Sequence, residues 1–419
     1  MNDYSTKSAI VIDNYLFCEL AIKLAESFGR VQYFAESLHD PFPDERKGKV
    51  GSGFPGVERV LDWESHIDEN DIFIFPDINW GPTQVMLEGM GKRVFGSRKA
   101  DQLENYRDKT KELMKKLKLP IGPYFTITGL PELRTYLKSV KDKYIKINLW
   151  RGNGETKKSI NYRIIETLLD RWEFELGPLK YTEKFIIEEE LPNKIEIGTD
   201  RYIVDGQSPK SYLSGIESKG TGYFGIFKPE SELPDALTSF GKAIAPTLAE
   251  AGYRGFYSEE IRVGKDKVPY MNDICCRAPS PPSDMYLEMY ENLPDIIWNT
   301  AEGILIEPVV KHKFGVQTHV FADWVEYNAQ CIEFPEKYRK NIKMRYAMKS
   351  KEGYYVLPFK GNTRLCAMVA VGDSFEECSE EIIKDQKDIK SFDKEFTDDS
   401  LNKIKDEFKK LADWGMKII

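Results

Sequence analysis

The sequence predicts a mixed α/β and α+β fold that is divided over more than one domain. The chain has 419 residues, which is long for a single hydrophobic core. Near the N-terminus, apolar strands alternate with amphipathic segments, as in parallel sheets covered by helices. Farther along, strands follow one another directly and include a hairpin, which is typical of antiparallel sheets.

The first hundred residues carry the alternating pattern. The segment SAIVID (8–13) is a buried type of strand, and the residues after it repeat apolar side chains at helical spacing up to Gly29. This region is therefore expected to form a parallel sheet with covering helices. The predicted strands are 8–13, 30–36, 71–77 and 92–96, and the predicted helices are 14–29 and 81–90.

The remaining chain mixes strands and helices. A long helix is predicted from 99 to 119, where LPIGPY (119–124) ends it. The turn sequence GKDK lies between two strand patterns and predicts a hairpin. The further predicted strands are 143–149, 183–191, 194–206, 255–263 and 268–277, and the predicted helices are 160–172, 233–252 and 398–413, with another helix after 369–377.

Composition excludes several classes of protein. A net charge of −8 argues against a nucleic-acid coat and against a basic membrane-surface patch. No apolar run is long enough for a transmembrane helix, and the start has no secretory pattern. The one dense basic stretch, KTKELMKKLK (109–118), is interpreted as the solvated face of an amphipathic helix. A cytoplasmic protein is expected.

The six cysteines do not form a metal or redox motif. No C-x-x-C spacing occurs, and only four histidines accompany them. Cys275 and Cys276 are adjacent on a predicted strand, so their side chains are expected on opposite faces, with Cys276 on the packed side. Reduced thiols are expected in a cytoplasm.

The predicted hairpin brings charged residues together. Glu260 and Asp273 lie thirteen positions apart on partner strands, and Asp273, Cys275 and Arg277 share one face by alternation. Converging carboxylates suit Mg²⁺, and an arginine beside them suits a phosphate or carboxylate. An exposed sheet face with ordinary charges is the alternative.

Upstream segments add further candidates for anion binding. Lys146 lies between apolar residues in a strand, where a lysine is costly unless it meets an anion. The loop RGNGETK (151–157) has glycines that let backbone N–H groups approach phosphate oxygens. FIIEEEL (185–191) places acids after an apolar run, and Lys219 lies in a Gly-rich segment.

The order of these features resembles the ATP-grasp superfamily over about residues 100–305. The stretch GYRGFYSEEIRVGKDKVPYMND (252–273) is similar to the closing hairpin of D-alanine–D-alanine ligases, and GIESK (215–219) to a segment that carries a phosphate-contacting lysine. The stretches VFGSRKADQLENYRDKTKELMKKLKLPIGPY (94–124) and GNTRLCAMVAVGDSFEECSEE (361–381) are more similar to phosphoribosylamine–glycine ligases.

The resemblance implies a domain plan and an activity. It implies a parallel-sheet N-terminal domain (1–100), a two-lobed ATP-grasp fold (101–305, with lobes at 120–192 and 193–305) and a small C-terminal α+β segment (306–419). The implied activity is ADP-forming carboxylate–amine ligation through an acyl phosphate. Its cofactors would be ATP and Mg²⁺ or Mn²⁺, its partners would be a small carboxylate and an amine, and a homodimer is common in the superfamily.

The resemblance also implies roles for individual residues. Arg277 and Lys219 would be catalytic, and Glu260 and Asp273 would bind the metal. The implied ATP contacts are Arg107, Lys146, Gly152, Asn153, Gly154, Thr156, Glu188, Glu190, Leu191 and Glu196, with Glu188 and the backbone of Glu190 and Leu191 at adenine and Glu196 at the ribose.

One departure from the family motif keeps other functions open. Cys275 stands where the motif has asparagine, and a thiol is a poor ligand for Mg²⁺. An ATP-binding relative that has lost ligation, acting as a sensor or scaffold, is the second hypothesis. A structural or interaction protein with an acidic surface is the third.

Overall fold

The computed structural model describes residues 2–35, 49–149, 156–191, 194–218, 220–359, 361–397 and 399–416. The N-terminal part forms a five-stranded parallel sheet in the order β3-β2-β1-β4-β5. Its central strands are apolar on both faces, as expected for a parallel sheet covered on both sides. Its elements are β1 (Ser8–Asp13), α1 (Cys18–Leu24), β2 (Arg30–Ala35), β3 (Val57–Arg59), β4 (Ile72–Ile74), α2 (Gly81–Gly89) and β5 (Arg93–Phe95).

The next part is a four-stranded antiparallel sheet in the order β6-β9-β7-β8. It has its own apolar core, which is separate from the main cluster of buried residues. Its elements, with the two helices that precede them, are α3 (Asp101–Asn105), α4 (Arg107–Lys116), β6 (Tyr124–Thr128), α5 (Leu130–Leu137), β7 (Lys143–Ile147), β8 (Thr156–Ser159), α6 (Tyr162–Leu176) and β9 (Lys184–Glu189).

The predicted long helix over 99–119 is broken, and the break positions Arg107. Tyr106 is extended (φ −119°, ψ 95°), so α3 ends there and α4 begins afresh. The side chain of Asn148, just beyond β7, accepts a hydrogen bond of 2.8 Å from the backbone N–H of Asp108. The small sheet thus satisfies a free N–H at the start of α4.

A nine-stranded antiparallel sheet forms the centre of the molecule. Its order is β14-β13-β10-β11-β12-β15-β20-β17, and β21 pairs with β15. The elements of this part are β10 (Ile195–Val204), β11 (Ser211–Ser218), β12 (Gly222–Pro229), α7 (Asp235–Glu250), β13 (Arg254–Val263), β14 (Tyr270–Cys275), α8 (Pro282–Met289), α9 (Leu293–Ala301) and β15 (Phe314–Phe321).

The C-terminal segment continues this central sheet. Strand β15 pairs with β12 and β20 pairs with β15, so backbone hydrogen bonds join the segment after residue 306 to the preceding strands. The predicted division of the chain into domains stays a prediction. The remaining elements are β16 (Gln330–Ile332), β17 (Ile342–Lys343), β18 (Ala347–Lys349), β19 (Tyr354–Val356), β20 (Arg364–Gly372), α10 (Phe375–Asp385), β21 (Glu395–Phe396) and α11 (Ser400–Asp413).

The described helices are all unsuited to crossing a membrane, because none combines the necessary length with an apolar composition.

Replacing Phe224 should destabilise the protein strongly. Its buried ring lies 4.7 Å from the ring of Phe408 and 5.1 Å from that of Phe375, and so ties the central sheet to α11 and α10. We expect Phe224→Ala to lower the free energy of unfolding by about 3–5 kcal/mol. The control is Phe174→Ala, whose side chain is 89% exposed and whose loss should cost under about 0.5 kcal/mol. Equal denaturant midpoints for the two variants would contradict this packing.

Candidate active site

Three carboxylates meet on one face of the central sheet. The oxygens of Glu196 (β10), Glu217 (β11) and Glu260 (β13) lie within 4.8 Å of one another. Strand β10 lies between β11 and β13, and Gly198 is the register partner of Glu260, which leaves room between the acids. The side-chain amide of Asn272 donates hydrogen bonds of 3.2 Å to both Glu196 and Glu260. We name these three glutamates the acid cluster.

The acid cluster has the donor set of a hard divalent cation. All three carboxylates are half-buried, and grouping them raises their mutual repulsion. The guanidinium of Arg262, 3.1 Å from Glu196, offsets part of that charge. Carboxylate oxygens without soft ligands are the set that Mg²⁺ prefers, so these residues fit the predicted metal.

Three basic side chains meet next to this face, all of them buried. Lys111 (α4) lies 2.6 Å from one oxygen of Glu188, and Lys146 (β7) lies 3.2 Å from the other. Arg107 (α4) lies 3.3 Å and Lys146 lies 3.5 Å from the same oxygen of Asp273. We name Arg107, Lys111 and Lys146 the basic cluster.

The hairpin joins the two clusters. Asp273 on β14 is the register partner of Glu260 on β13, although the strands shift register directly beyond this pair. Asp273 therefore contacts Arg107 and Lys146, whereas its neighbour Asn272 reaches the acid cluster. The bulge turns these consecutive side chains toward different neighbours. The predicted metal pair of Glu260 and Asp273 stays a prediction.

Glu188 lies between two lysines instead of standing free at the end of its strand. Burial alone would raise the pKa of Glu188, but the charges of Lys146 and Lys111 lower that pKa to about 2. Glu188 is therefore ionised throughout the range in which proteins are usually studied. The sequence implied an adenine contact for it, and the structure places its carboxylate against the two ammonium groups.

Two site residues escaped the sequence prediction. Glu217 lies in GIESK, which was singled out only for Lys219, two positions further along the sequence. Lys111 lies in the stretch that was interpreted as solvated, yet it is only 7% exposed. The burial of Lys111 could have been predicted from helical spacing, because Arg107 and Lys111 are one helical turn apart and share a face with Met114.

Arg277 lies where the hairpin meets the parallel sheet. Its Nε lies 2.9 Å from Glu104 and 3.7 Å from Asp77, a residue that follows β4. The other oxygen of Glu104 accepts a 2.7 Å hydrogen bond from the backbone N–H of Cys276. Two buried acids thus hold the guanidinium at the carboxyl edge of the parallel sheet.

A cleft connects Arg277 with the acid cluster. Its side chains come from the central sheet and from the Pro-rich loop after β14. The lining residues are Glu196, Gly198, Asp200, Glu217, Tyr223, Ser258, Glu260, Cys275, Arg277, Pro279, Ser280, Pro281 and Pro282.

The two adjacent cysteines have different surroundings. Cys275 lines the cleft, whereas Cys276 is 1% exposed in the main core, and both are free thiols. Burial raises the pKa of the Cys275 thiol well above its usual value, although Arg277 acts in the opposite direction. A neutral thiol is a weak nucleophile and a poor ligand for Mg²⁺.

The remaining predicted residues are more scattered. Thr156 is the register partner of Lys146, so it lies beside the basic cluster. Glu190 is exposed and 2.8 Å from Lys158, and Leu191 is half-buried after β9. Gly152, Asn153, Gly154 and Lys219 lie outside the described residues.

Removing the charge of Glu188 should lower the free energy of unfolding. Glu188→Gln leaves two buried lysines without their shared counter-ion, so we expect a loss of about 3–5 kcal/mol in unfolding free energy at pH 7. Because the pKa of Glu188 is lowered from 4.5 to about 2, this contribution is present above pH 4.5 and disappears as pH falls toward 2. Urea unfolding at several pH values measures it.

The matched control for this experiment is Glu189→Gln on the same strand. Glu189 is exposed and also pairs with a lysine, Lys143, at 2.6 Å. An exposed pair contributes under about 1 kcal/mol. A loss in Glu188→Gln no larger than that of the control would disprove the buried network.

Comparisons with known proteins complete the description of the site. The sequence matches no protein-family profile. The phosphoribosylamine–glycine ligase of Streptococcus pneumoniae serotype 4 is 25% identical over 223 residues, which are 48% of this chain and 53% of that protein. The chain thus matches about half the length of this curated relative.

Solved structures resemble the chain over most of its length. Phosphoribosylamine–glycine ligase from Thermotoga maritima has a TM-score of 0.68 at 15% identity, covering 92% of this chain and 98% of that one. The biotin carboxylase domain of 2-oxoglutarate carboxylase from Hydrogenobacter thermophilus, in complex with MgADP, ADP and bicarbonate, has a TM-score of 0.66 at 11% identity, covering 92% and 91%. The predicted fold class is confirmed, and the chain has the fold of the ATP-grasp ligases.

Proposed function

We propose that this protein is an ATP-dependent carboxylate–amine ligase that forms an amide through an acyl phosphate and releases ADP and phosphate. The observation that carries the proposal is the contact between the acid cluster and the basic cluster through the hairpin. A cation site next to an anion site matches a nucleoside triphosphate with its bound Mg²⁺. The fold of this chain and its similarity to phosphoribosylamine–glycine ligases support the same activity.

The basic cluster is the proposed site of the ATP phosphates. Arg107 and Lys146 are buried and contact Asp273 in the described structure. A phosphate can replace that carboxylate as their anion, because both offer oxygens to the same donors. Lys111 remains paired with Glu188 and supports the position of Lys146.

The acid cluster is the proposed site of Mg²⁺. Glu196, Glu217 and Glu260 would hold the ion, and Glu196 would then serve as a metal ligand rather than a ribose contact. When bound, the ion supplies charge neutralisation for the phosphate groups. Mn²⁺ prefers similar oxygen ligands, so it remains a proposed substitute.

The reaction needs positioning and charge stabilisation rather than a protein nucleophile. In the first step, an oxygen of the substrate carboxylate would attack the γ-phosphorus of ATP, and ADP would leave. In the second, the amine nitrogen would attack the acyl carbon and give one proton to the departing phosphate, an amide bond would form, and phosphate would leave with the electrons of its bond to the acyl carbon. Arg277 lines the cleft and would steady the transferring group. The proposed role of Lys219 at the γ-phosphate is supported only by the resemblance to the ATP-grasp superfamily.

The chemistry of the cleft supports this direct transfer. Of the described residues that line it, none is a histidine, and the thiol of Cys275 is neutral. A Ser–His or Cys–His pair of the kind used in covalent catalysis is therefore absent from these lining residues. The substrates would instead react with each other while both are bound.

The second candidate is a nucleotide-binding relative without ligase activity. Its basis is Cys275, which stands where the family motif has a metal-binding asparagine. The three carboxylates of the acid cluster supply an oxygen donor set without position 275, and this favours the ligase.

Release of ADP distinguishes the two candidates. Mg-ATP is incubated with pools of carboxylic acids and amino acids, each with and without a mixture of amines. A pool that raises ADP well above background supports a ligase and begins to identify its substrate. Tight Mg-ATP binding without ADP release from any pool favours the nucleotide-binding relative, and absence of both binding and release contradicts the proposal.

Glu260→Gln should abolish substrate-dependent ADP release. Removing one charge from the acid cluster weakens the metal site, and we expect at least about a hundredfold loss of turnover. Unchanged circular dichroism and denaturant midpoint would show that the fold survives. Glu250→Gln, an exposed change at the end of α7, is the matched control and should keep full activity. Full activity in Glu260→Gln would refute the metal assignment.

A further inference from the structure

Two arginines of the C-terminal segment lie near each other and near the cleft. Arg345 follows β17 and donates a hydrogen bond to the hydroxyl of Ser280, which lines the cleft. Arg364 begins β20, and its Nη1 is buried with no hydrogen-bond partner. Within the described residues, no carboxylate oxygen lies within 4 Å of either guanidinium.

Among the described residues, this pair of like charges forms no ion pair with a carboxylate. Burial and the neighbouring charge of Arg345 lower the pKa of Arg364 to about 9, whereas Asp284 and Glu217 act in the opposite direction. A guanidinium holds its proton strongly, so Arg364 remains charged at neutral pH. Keeping two such charges together in a partly buried place is unfavourable until an anion joins them.

The surroundings place the pair beside the proposed reaction centre. Glu217, which acts on Arg364, belongs to the acid cluster. The phenol of Tyr346 is influenced by both arginines and by Asp13 and Asp77 of the parallel sheet. The two arginines thus have electrostatic neighbours at the proposed metal site and, through Tyr346, at the carboxyl edge of the parallel sheet, where small ligands of α/β proteins commonly bind.

We propose that Arg345 and Arg364 bind a carboxylate or phosphate group of one of the substrates, a group distinct from the carboxylate that is activated. Carboxylate and phosphate share the chemistry of two or more oxygens arranged for a guanidinium fork. Arg277 is already held by Glu104 and Asp77, and the basic cluster is assigned to the nucleotide. The proposal rests on the proposed function, because it assigns the ligand to the substrate side of that active site.

The test is a binding titration on the full chain. Inorganic phosphate and succinate are titrated separately into the protein at constant ionic strength with saturating MgADP, and binding is followed by calorimetry and by thermal melting. MgADP occupies the adenine, ribose, α-phosphate and β-phosphate positions but leaves the γ-phosphate position open, so the arginine variants decide which site a bound anion uses. Binding of one anion but not the other identifies the group that the substrate carries.

The variants decide whether the two arginines are responsible. We expect Arg364→Gln and Arg345→Gln each to weaken the binding of that anion by at least about tenfold, since a charged hydrogen-bonding partner is lost. The melting temperature of Arg364→Gln without anions should equal or exceed that of the wild type, because an unpaired charge is removed. Arg171→Gln, at an exposed helix position, is the control and should bind as the wild type does.

The outcomes separate this proposal from the proposed function. Equal anion binding in the wild type and in both arginine variants, or no binding of either anion, overturns the anion site while MgADP still binds. Failure of MgADP to bind the wild type instead contradicts the proposed function. If Arg364→Gln does not fold, Arg345→Gln and the charge-conserving Arg364→Lys supply the comparison, with reduced anion binding expected in the former.

Discussion

The candidate active site depends on the burial of three cationic side chains that need anions. Lys111, Lys146 and Arg107 are each under 10% exposed, and Glu188 and Asp273 neutralise them. These five residues come from a helix, the small sheet and the central sheet, so the ion pairs join three parts of the chain. Buried pairs of this kind add little net stability over apolar packing but are costly to break. They specify how the small sheet meets the central one.

The acid cluster depends on a different constraint, namely strand register. Glu196, Glu217 and Glu260 converge because three adjacent antiparallel strands place them on one face, and Gly198 leaves space between them. The hairpin then sets Asp273 beside this face while its side chain meets the basic cluster. The acid cluster and the basic cluster thus lie next to each other at the hairpin, an arrangement of charges that suits the proposed complex of a metal ion and a polyphosphate.

Much of the fold could be predicted, because the apolar periods of strands and helices are local. The parallel sheet and the hairpin of β13 and β14 follow from such patterns, and Lys146 stood out because a strand lysine needs an anion. Contacts between strands could not be predicted. Glu217 joins Glu260 through the register of β11, and a bulge decides whether Asn272 or Asp273 faces the acids. Lys111 was missed because many helix lysines are solvated.

The separate core of the small sheet has a consequence for how the protein opens. Leu133, Ile145, Leu169, Trp172 and Phe185 pack against one another and belong to a cluster apart from the main one. A region with its own core can unfold as a cooperative unit below the free energy of global unfolding. Its amide hydrogens should therefore exchange with solvent together and earlier than those of the central sheet. A ligand that bridges Lys146 and the hairpin would slow that exchange by a factor that grows as its free concentration rises above its Kd.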